Sequence, residues 1–455
     1  MALSGIQIYK LLPKTNCKDC GFPTCLAFAM KLAAKQVELA TCPHVTDAAK
    51  AQLAESATPP IRLVTLEANS NSVKAGNETV LFRHEKTFYN KPGLFVRVKA
   101  SEADIAAKVA AADAYVVNYV GMDFTIDGFA VEADGDASTG SAQSLGAAVK
   151  AVRSVSKRPL ILIGDPTSLP AGLDALSSSS TAGQTEIPMI YAADISNWEA
   201  MAGLAAKYKA ALVVKGESLD DLAELTQKIQ AKGVEDMVLD LGGKNMAEWL
   251  ALSTQVRRLA LKKNFRPLGY PVIAFPGKAG DHAKESVYAA QAIAKYAGFV
   301  VLDTFTPELA YALLVLRENI YTDPQKPIQV QPGVYEINNP TADAPALVTT
   351  NFSITYFSVA NEVEGSGLPA WLIVTDAEGM SVLTAWAAGK FDAERIAKAV
   401  KEFDVASKIN KKRIVLPGHV AVLSGELEEE LAGWEIRVGP REAVDLPAFM
   451  KQALN

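Results

Sequence analysis

Cysteine is almost missing from this 455-residue chain: there are four, and positions 43–455 contain none. Beyond the N-terminal tenth there is therefore no disulfide framework and no second thiolate site. Histidine is equally scarce, limited to His44, His84, His282 and His419. No apolar run approaches the roughly 18 residues of a transmembrane helix, so no membrane span is expected. Positive charge is not in excess. Lys and Arg number 45 against 51 Asp and Glu, a net charge of −6. That argues against nucleic acid or anionic membrane as a partner, since both want basic surfaces. The opening MALSGIQIYK lacks the basic segment and apolar core of a signal peptide, so a cytoplasmic location is expected. What remains is ordinary globular material, 49% apolar and 21% charged, enough for about three domains.

The four cysteines are Cys17, Cys20, Cys25 and Cys42, spaced C-x2-C-x4-C-x16-C. Such crowding reads as the ligand set of one centre. Two disulfides are a poor fit to a reducing cytosol. A zinc site usually pairs two C-x2-C knuckles, and only one is present. An iron–sulfur cluster fits best, with a short loop giving three thiolates and a distant residue closing the site. Pro43 follows the last cysteine, as proline does in bacterial ferredoxin runs. A short helix ended by Pro13 leads into KTNCKDCGFPTC, and a second helix follows through Leu26, Met30, Ala33 and Val37. The polar, alanine-rich segment before Pro59 and Pro60 reads as a linker.

Residues 61–90 read as strands. Eight short apolar runs then follow: 94–98, 115–120, 160–164, 188–193, 211–216, 236–242, 271–277 and 299–304. Most lead into amphipathic helices. Continuous apolar strands imply a sheet covered on both faces, hence parallel. Eight such units predict a closed eight-stranded α/β barrel, TIM-like, with an open doubly wound sheet as the alternative. Polar residues fall at the strand ends: Asn118, Asp165, Asp194, Lys215, Asp240 and Asp303. They read either as helix caps or as a small-molecule site, and Gly242-Gly243-Lys244 lacks the phosphate-loop pattern.

The Pro-rich segment 323–345 reads as a linker to a final α/β unit. Its strands are expected at SITYFSV, AWLIVTD, MSVLTAW, RIVLP, HVAVL and EIRVG. Its helices are expected at 392–403, 425–431 and the C-terminus. Strand ends lead into small residues, which let backbone approach a large ligand. Ser424 is placed to cap the helix after it. The unit is thus a candidate doubly wound binder of a bulky, nucleotide-like ligand.

Three segments carry a resemblance to a known family: IYKLLPKTNCKDCGFPTCLAFAMKLA with TCPHV, then VLTAWAAGKF, then PGHVAVLSGELEEEL with VGPREA. Together they resemble the large (gamma) subunit of the corrinoid iron–sulfur protein of the acetyl-CoA synthase/CO dehydrogenase pathway. The resemblance covers essentially the whole chain. It implies a cluster domain with linker at 1–58, a barrel with its preceding strands at 59–322, a linker at 323–345 and a cobalamin domain at 346–455. It implies a 4Fe-4S cluster on Cys17, Cys20, Cys25 and Cys42. It implies corrinoid contacts from Thr375, from Ser381, Val382, Leu383, Thr384 and Ala385, from Gly418 and Ala421, from Ser424, Gly425 and Glu426, and from Gly439, Pro440, Arg441, Glu442 and Ala443. The implied role is that of a methyl carrier, an enzyme component with no catalytic residue of its own. Cobalamin takes the methyl of methyltetrahydrofolate from a methyltransferase and passes it to acetyl-CoA synthase, while the cluster restores Co(II) to Co(I). The implied partners are that methyltransferase, acetyl-CoA synthase/CO dehydrogenase and a small corrinoid-protein subunit in a heterodimer.

None of the four histidines has Asp two positions before it, so the D-x-H-x-x-G motif of many cobalamin proteins is absent. The cobalt is therefore expected to carry no protein histidine. Losing an axial donor favours the electron-rich, low-coordinate state. Two other functions stay open: a barrel methyltransferase that binds the pterin itself, and a corrinoid-free electron-transfer scaffold.

Overall fold

A computed structural model describes residues 5–33, 37, 39–46, 49–50, 59–85, 87–119, 121–134, 139–179, 186–243, 245–322 and 328–453. Most of the expected linker at 47–60 and the start of that at 323–345 lie outside these residues. The chain divides into two compact units. One is Met1–Tyr115 with Thr125–Tyr321, the other Val116–Phe124 with Thr322–Asn455.

At the start of the first unit, the helices Gly5–Leu11 and Cys25–Ala33 pack together. Ile8, Leu12, Phe28 and Ala29 form their shared core. Thr24 caps the second helix, its hydroxyl accepting the Ala27 N–H at 3.1 Å.

The strands β1 (Val64–Ala68) and β2 (Asn71–Ala75) form an antiparallel hairpin turning at Asn69, which has a positive φ. The expected continuation of strand to residue 90 does not occur: β2 ends at Ala75 and the stretch beyond it is loop. Next come β3 (Gly93–Lys99), the small hairpin β4 (Val117–Tyr119) and β5 (Met122–Phe124), then β6 (Gly128–Glu132) and β7 (Leu160–Ile163). After β8 (Glu186–Ile187) follow β9 (Met189–Ala193), β10 (Ala211–Lys215), β11 (Met237–Asp240), β12 (Val272–Ala274) and β13 (Ala297–Leu302). Eight of these close a parallel barrel in the order β3, β6, β7, β9, β10, β11, β12, β13. The β1–β2 hairpin seals the end where the strands begin. Val64, Leu66, Val73 and Ala75 join one buried cluster with inward residues such as Phe95, Ile161 and Phe299. A Cβ at Gly93 would lie 2.7 Å from the Val73 side chain, so the hairpin presses directly on the strand starts.

The barrel is as expected, with one strand exchanged. The run 115–120 does not supply its second strand: Val117–Tyr119 form β4 of the β4–β5 hairpin, which is assigned to the other unit. Asn118 therefore stands on that hairpin, hydrogen-bonded to Asp123 at 2.9 Å. The true second strand is GFAVE at 128–132, whose first four residues are buried. Its leading Gly and short Ala hide it as an apolar run. Val116, by contrast, is largely exposed.

The second unit holds β14 (Gly333–Ile337), β15 (Ala346–Thr350), β16 (Ala370–Thr375), β17 (Arg413–Leu416) and β18 (Glu435–Val438). Their order is β14-β16-β15-β17-β18, parallel except for β14. Apolar clusters cover both faces, so the sheet is doubly wound. Several sequence expectations change here. Residues 333–337, expected as linker, form the antiparallel edge strand; Val334 and Tyr335 alternate onto opposite faces. SITYFSV is the start of the helix Ser353–Ser366, and the strand is the preceding ALVTT. MSVLTAW holds the helix Val382–Ala387, and HVAVL a 3-10 turn. Their β-branched and aromatic residues favour strand, but parallel neighbours need a crossover on one face, and topology overrides that preference.

Candidate functional site

The thiol loop lies between the two N-terminal helices. Lys14, Asn16, Lys18 and Gly21 all have positive φ. Repeated left-handed residues curl the chain, so this loop is tightly wound rather than extended. The Asn16 side chain pins it by accepting the Cys25 N–H at 2.8 Å. Cys25 and Cys42 are buried, Cys20 is partly buried, and all three belong to the apolar cluster of the helices. Cys17 is exposed, and its sulfur shares a group within 4.8 Å with Asp19 and His44 and none of the other thiols. Hydrogen bonds from His44 and then Cys17 hold the Asp19 carboxyl below its usual range. Three thiols within the apolar cluster of the helices and one exposed thiol make a four-thiolate donor set for a soft metal centre.

A cleft of about 330 Å3 opens at the C-terminal ends of the second unit's strands. It sits where β15 has β16 on one side and β17 on the other, the reversal point where doubly wound sheets bind ligands. Thr349 from β15, Leu416 and Pro417 at the end of β17, and Ile354 and Ser358 from the helix after β15 line it. The Thr349 hydroxyl is buried and has no hydrogen-bond partner among the described residues. Ile354 and Leu383 line the same cleft while being 66% and 46% exposed, an apolar rim standing in water. Asn351 shapes one wall: its Oδ1 accepts the N–H groups of Ala377 at 2.9 Å and Gly379 at 3.0 Å, fixing the turn that delivers Ser381.

Of the residues singled out from sequence, Ser381, Val382, Leu383, Gly439, Pro440, Arg441, Glu442 and Ala443 line the cleft. Thr375 lies beneath it, its hydroxyl donating to the Thr349 carbonyl at 3.1 Å. Thr384 bonds Ser381 at 3.0 Å, and Ala385 is fully buried. Gly418 supports the wall: a Cβ there would meet the Gly439 carbonyl oxygen at 2.6 Å. Ala421, Ser424, Gly425 and Glu426 are not among the lining residues. Ser424 is no cap either. The 3-10 turn Gly418–Leu423 runs straight into the helix Ser424–Glu430, leaving no extended cap position. His419, discounted from sequence, does line the cleft, with Nε2 3.7 Å from Glu442. Ile354 escaped sequence reading because its segment was expected as a strand, and Thr349 because ALVTT was assigned no element; the Asn351-Phe352 break after ALVTT was the available signal.

The barrel's strand-end acids separate into two kinds. Burial raises the Asp165 and Asp194 carboxyls, but hydrogen bonds from Thr167 and Ser168, and from Ser196 and Asn197, outweigh it and hold both below the usual range. These are turn caps. Asp240 and Asp303 instead face a charged network with Tyr191, Arg97 and Glu132.

Comparison with known proteins sets these sites in a family. A family model for the CO dehydrogenase/acetyl-CoA synthase delta subunit matches residues 63–450, and one for an Fe-S cluster domain matches residues 12–44. The corrinoid/iron-sulfur protein large subunit of Moorella thermoacetica is 43% identical over 456 residues, covering 100% of both chains. The acetyl-CoA decarbonylase/synthase complex subunit gamma of Methanopyrus kandleri is 32% identical, covering 99% of this chain and 98% of its own. A solved dihydropteroate synthase of Xanthomonas albilineans, in complex with 7,8-dihydropteroate, aligns with 56% of this chain and 96% of its own at 12% identity and a TM-score of 0.36. On the full-length match and the family model, the chain belongs to the family of corrinoid/iron–sulfur protein large subunits, the gamma subunits of acetyl-CoA decarbonylase/synthase complexes.

Proposed function

We propose that the chain is a methyl carrier that holds a corrinoid in its C-terminal cleft and a 4Fe-4S cluster in its N-terminal thiol loop. The observation that carries this reading is the cleft itself: a strand-end opening with a buried, unpartnered Thr349 hydroxyl and an exposed apolar rim. The hydroxyl suits a polar edge of a macrocycle, and Ile354 and Leu383 suit its apolar face. When bound, the cobalt of cobalamin would take the methyl of methyltetrahydrofolate from a methyltransferase and yield it to acetyl-CoA synthase. The chain's own task is to hold and shield. Gly418 and Gly439 let two backbone segments meet closely, with the Gly418 N–H donating to the Pro440 carbonyl at 2.9 Å. His419 is held near Glu442, and the reading leaves cobalt without a protein imidazole.

The cluster would be held by Cys17, Cys20, Cys25 and Cys42 and would supply single electrons that return oxidised cobalt to its methyl-accepting state. Asn16 keeps the loop wound around it. The remaining members of the proposed system are a small corrinoid-protein subunit as heterodimer partner, the methyltransferase and acetyl-CoA synthase/CO dehydrogenase, all cytoplasmic. Among the described residues no helix is long and apolar enough to cross a membrane.

The test is anaerobic. The purified protein should show a corrin band over a broad iron–sulfur shoulder; a shoulder alone would leave only an electron-transfer scaffold. Cys20→Ala should still turn over from preformed Co(I) but lose reactivation of Co(II) by a low-potential donor. Reactivation at the normal rate would remove the cluster from this role.

A further inference from the structure

The four cysteines reach their site from two separate limbs of chain. Cys17, Cys20 and Cys25 come from one continuous loop, which the Asn16 side chain pins internally. Cys42 arrives alone, with sixteen residues between it and Cys25 and the helix Cys25–Ala33 among them. Closing a segment of that length costs conformational entropy, so a contact has to hold the returning limb.

One side-chain bond joins the limbs. His44 Nε2 lies 2.6 Å from Asp19 Oδ2, across 25 positions of sequence. Among the described residues it is the only hydrogen bond between residues 39–46 and the loop. Its placement leaves little slack on either side. Asp19 stands between Cys17 and Cys20, next to the latter. His44 follows Cys42 by two positions, with Pro43 between them, and the fixed φ of proline stiffens that step. The Cys17 sulfur lies within 4.8 Å of both bonded groups, so the bond sits at the exposed edge of the loop. Behind it Cys42 and Val45 are buried, 6% and 5% exposed. The bonded side chains themselves are about half exposed, His44 48% and Asp19 52%. An exposed pair adds little to the stability of a whole domain. A bond that keeps one thiol beside three others acts on the site instead.

We propose that the His44–Asp19 bond is a clasp that holds the Cys42 limb against the loop, which makes both residues positioning residues for the fourth thiolate. The clasp needs only the chain. Its consequence for the cluster rests on the four-thiolate reading: a loosened Cys42 leaves one corner of the cluster open to chelators.

Two measurements separate the clasp from that reading. The first uses the reduced, metal-free, full-length chain, with N-ethylmaleimide labelling of each cysteine followed by mass spectrometry. Cys42 should react more slowly than the exposed Cys17. His44→Ala and Asp19→Ala should each speed Cys42 labelling by about three- to fivefold, the factor an exposed pair can supply, and leave Cys25 unchanged. The double variant should be no faster than the faster single variant, because both remove one bond. His44→Gln keeps an N–H donor and should restore most of the protection. The second measurement follows iron loss to ferrozine from the anaerobically reconstituted protein. It should quicken by a similar factor in the two alanine variants and recover in His44→Gln.

Unaltered Cys42 labelling in both alanine variants overturns the clasp. So do equal acceleration of Cys25, an additive double variant, or His44→Gln behaving as His44→Ala. Altered labelling with unaltered iron loss overturns its role toward the cluster. A parent that takes up no iron removes the cluster reading, and the labelling then decides the clasp alone.

Discussion

Gly418→Ala puts a single methyl group between the two loops that wall the C-terminal cleft. The Cβ would meet the Gly439 carbonyl oxygen at 2.6 Å, the Pro440 carbonyl carbon at 2.8 Å and the Arg441 nitrogen at 2.9 Å. All three are backbone atoms, so no side chain can swing aside. Ordinary contact begins near 3.4 Å. The loops must therefore part by roughly 0.8 Å, which also stretches the 2.9 Å bond from Gly418 N–H to Pro440. Overpacking of this kind costs about 1–3 kcal/mol. Loss of the hydrogen bond adds about 0.5–1.5 kcal/mol. The φ of Gly418 lies outside the left-handed region, so backbone strain contributes nothing, and Ala should otherwise be neutral or slightly favourable. A net loss of about 2–3 kcal/mol is expected. The assay is guanidinium unfolding followed by tryptophan emission. Trp371, Trp386 and Trp434 report on the second unit, and corrinoid content is read anaerobically on the same sample. Gly425→Ala is the matched control, because nothing lies within 4 Å of its Cβ. If Gly418→Ala unfolds within 0.5 kcal/mol of the parent, about the scatter of surface substitutions, and retains full corrinoid, the close approach does not shape the cleft.

Two further outcomes follow from ion pairs and caps in the barrel. Arg257 is buried, donates to Glu78 at 3.0 Å and to the Val80 carbonyl at 2.7 Å, and stacks on Tyr296; Arg257→Met strands the Glu78 carboxylate and should cost about 3–5 kcal/mol in chemical denaturation, while a loss under 1 kcal/mol would contradict that. Asp165 is held below its usual range when folded, so its contribution is present above the unfolded carboxylate value near 4 and is lost as pH falls through the folded value. Thermal scans of Asp165→Asn should therefore fall below the parent at pH 6, with the gap narrowing as pH falls below the unfolded carboxylate value, and a constant gap would refute the assignment.

The parts of this fold legible in the sequence are those set locally. The thiol spacing, the Pro13 stop and seven of the barrel strands are all written in neighbouring residues. The eighth, 128–132, was obscured because Gly and Ala suffice where Phe95 already fills the space: a Cβ at Gly128 would lie 2.4 Å from that ring. In the second unit, Ile354, Thr355 and Phe357 carry strand preference yet lie in the helix Ser353–Ser366, because β15 has only just ended and the chain must cross to a parallel neighbour. Cleft membership is less legible still. Thr349 and His419 are 70 positions apart, and only the strand order brings their segments to one opening.

The β4–β5 hairpin gives the chain an unusual economy of cutting. Tyr119 rests on Phe357, and Met122 joins the cluster of Tyr335 and Tyr356, so two side chains from amid the barrel sequence pack into the C-terminal core. The polypeptide passes between its two units three times: after Tyr115, after Phe124 and after Tyr321. Proteolysis at the last junction alone would leave the fragments joined through a hairpin that is covalently continuous with the first unit and packs in the second. Residues 322–455 expressed by themselves would lack it and bare the aromatic surface it covers. A self-sufficient C-terminal unit has to be made by grafting Val116–Phe124 back, not by trimming at the apparent boundary.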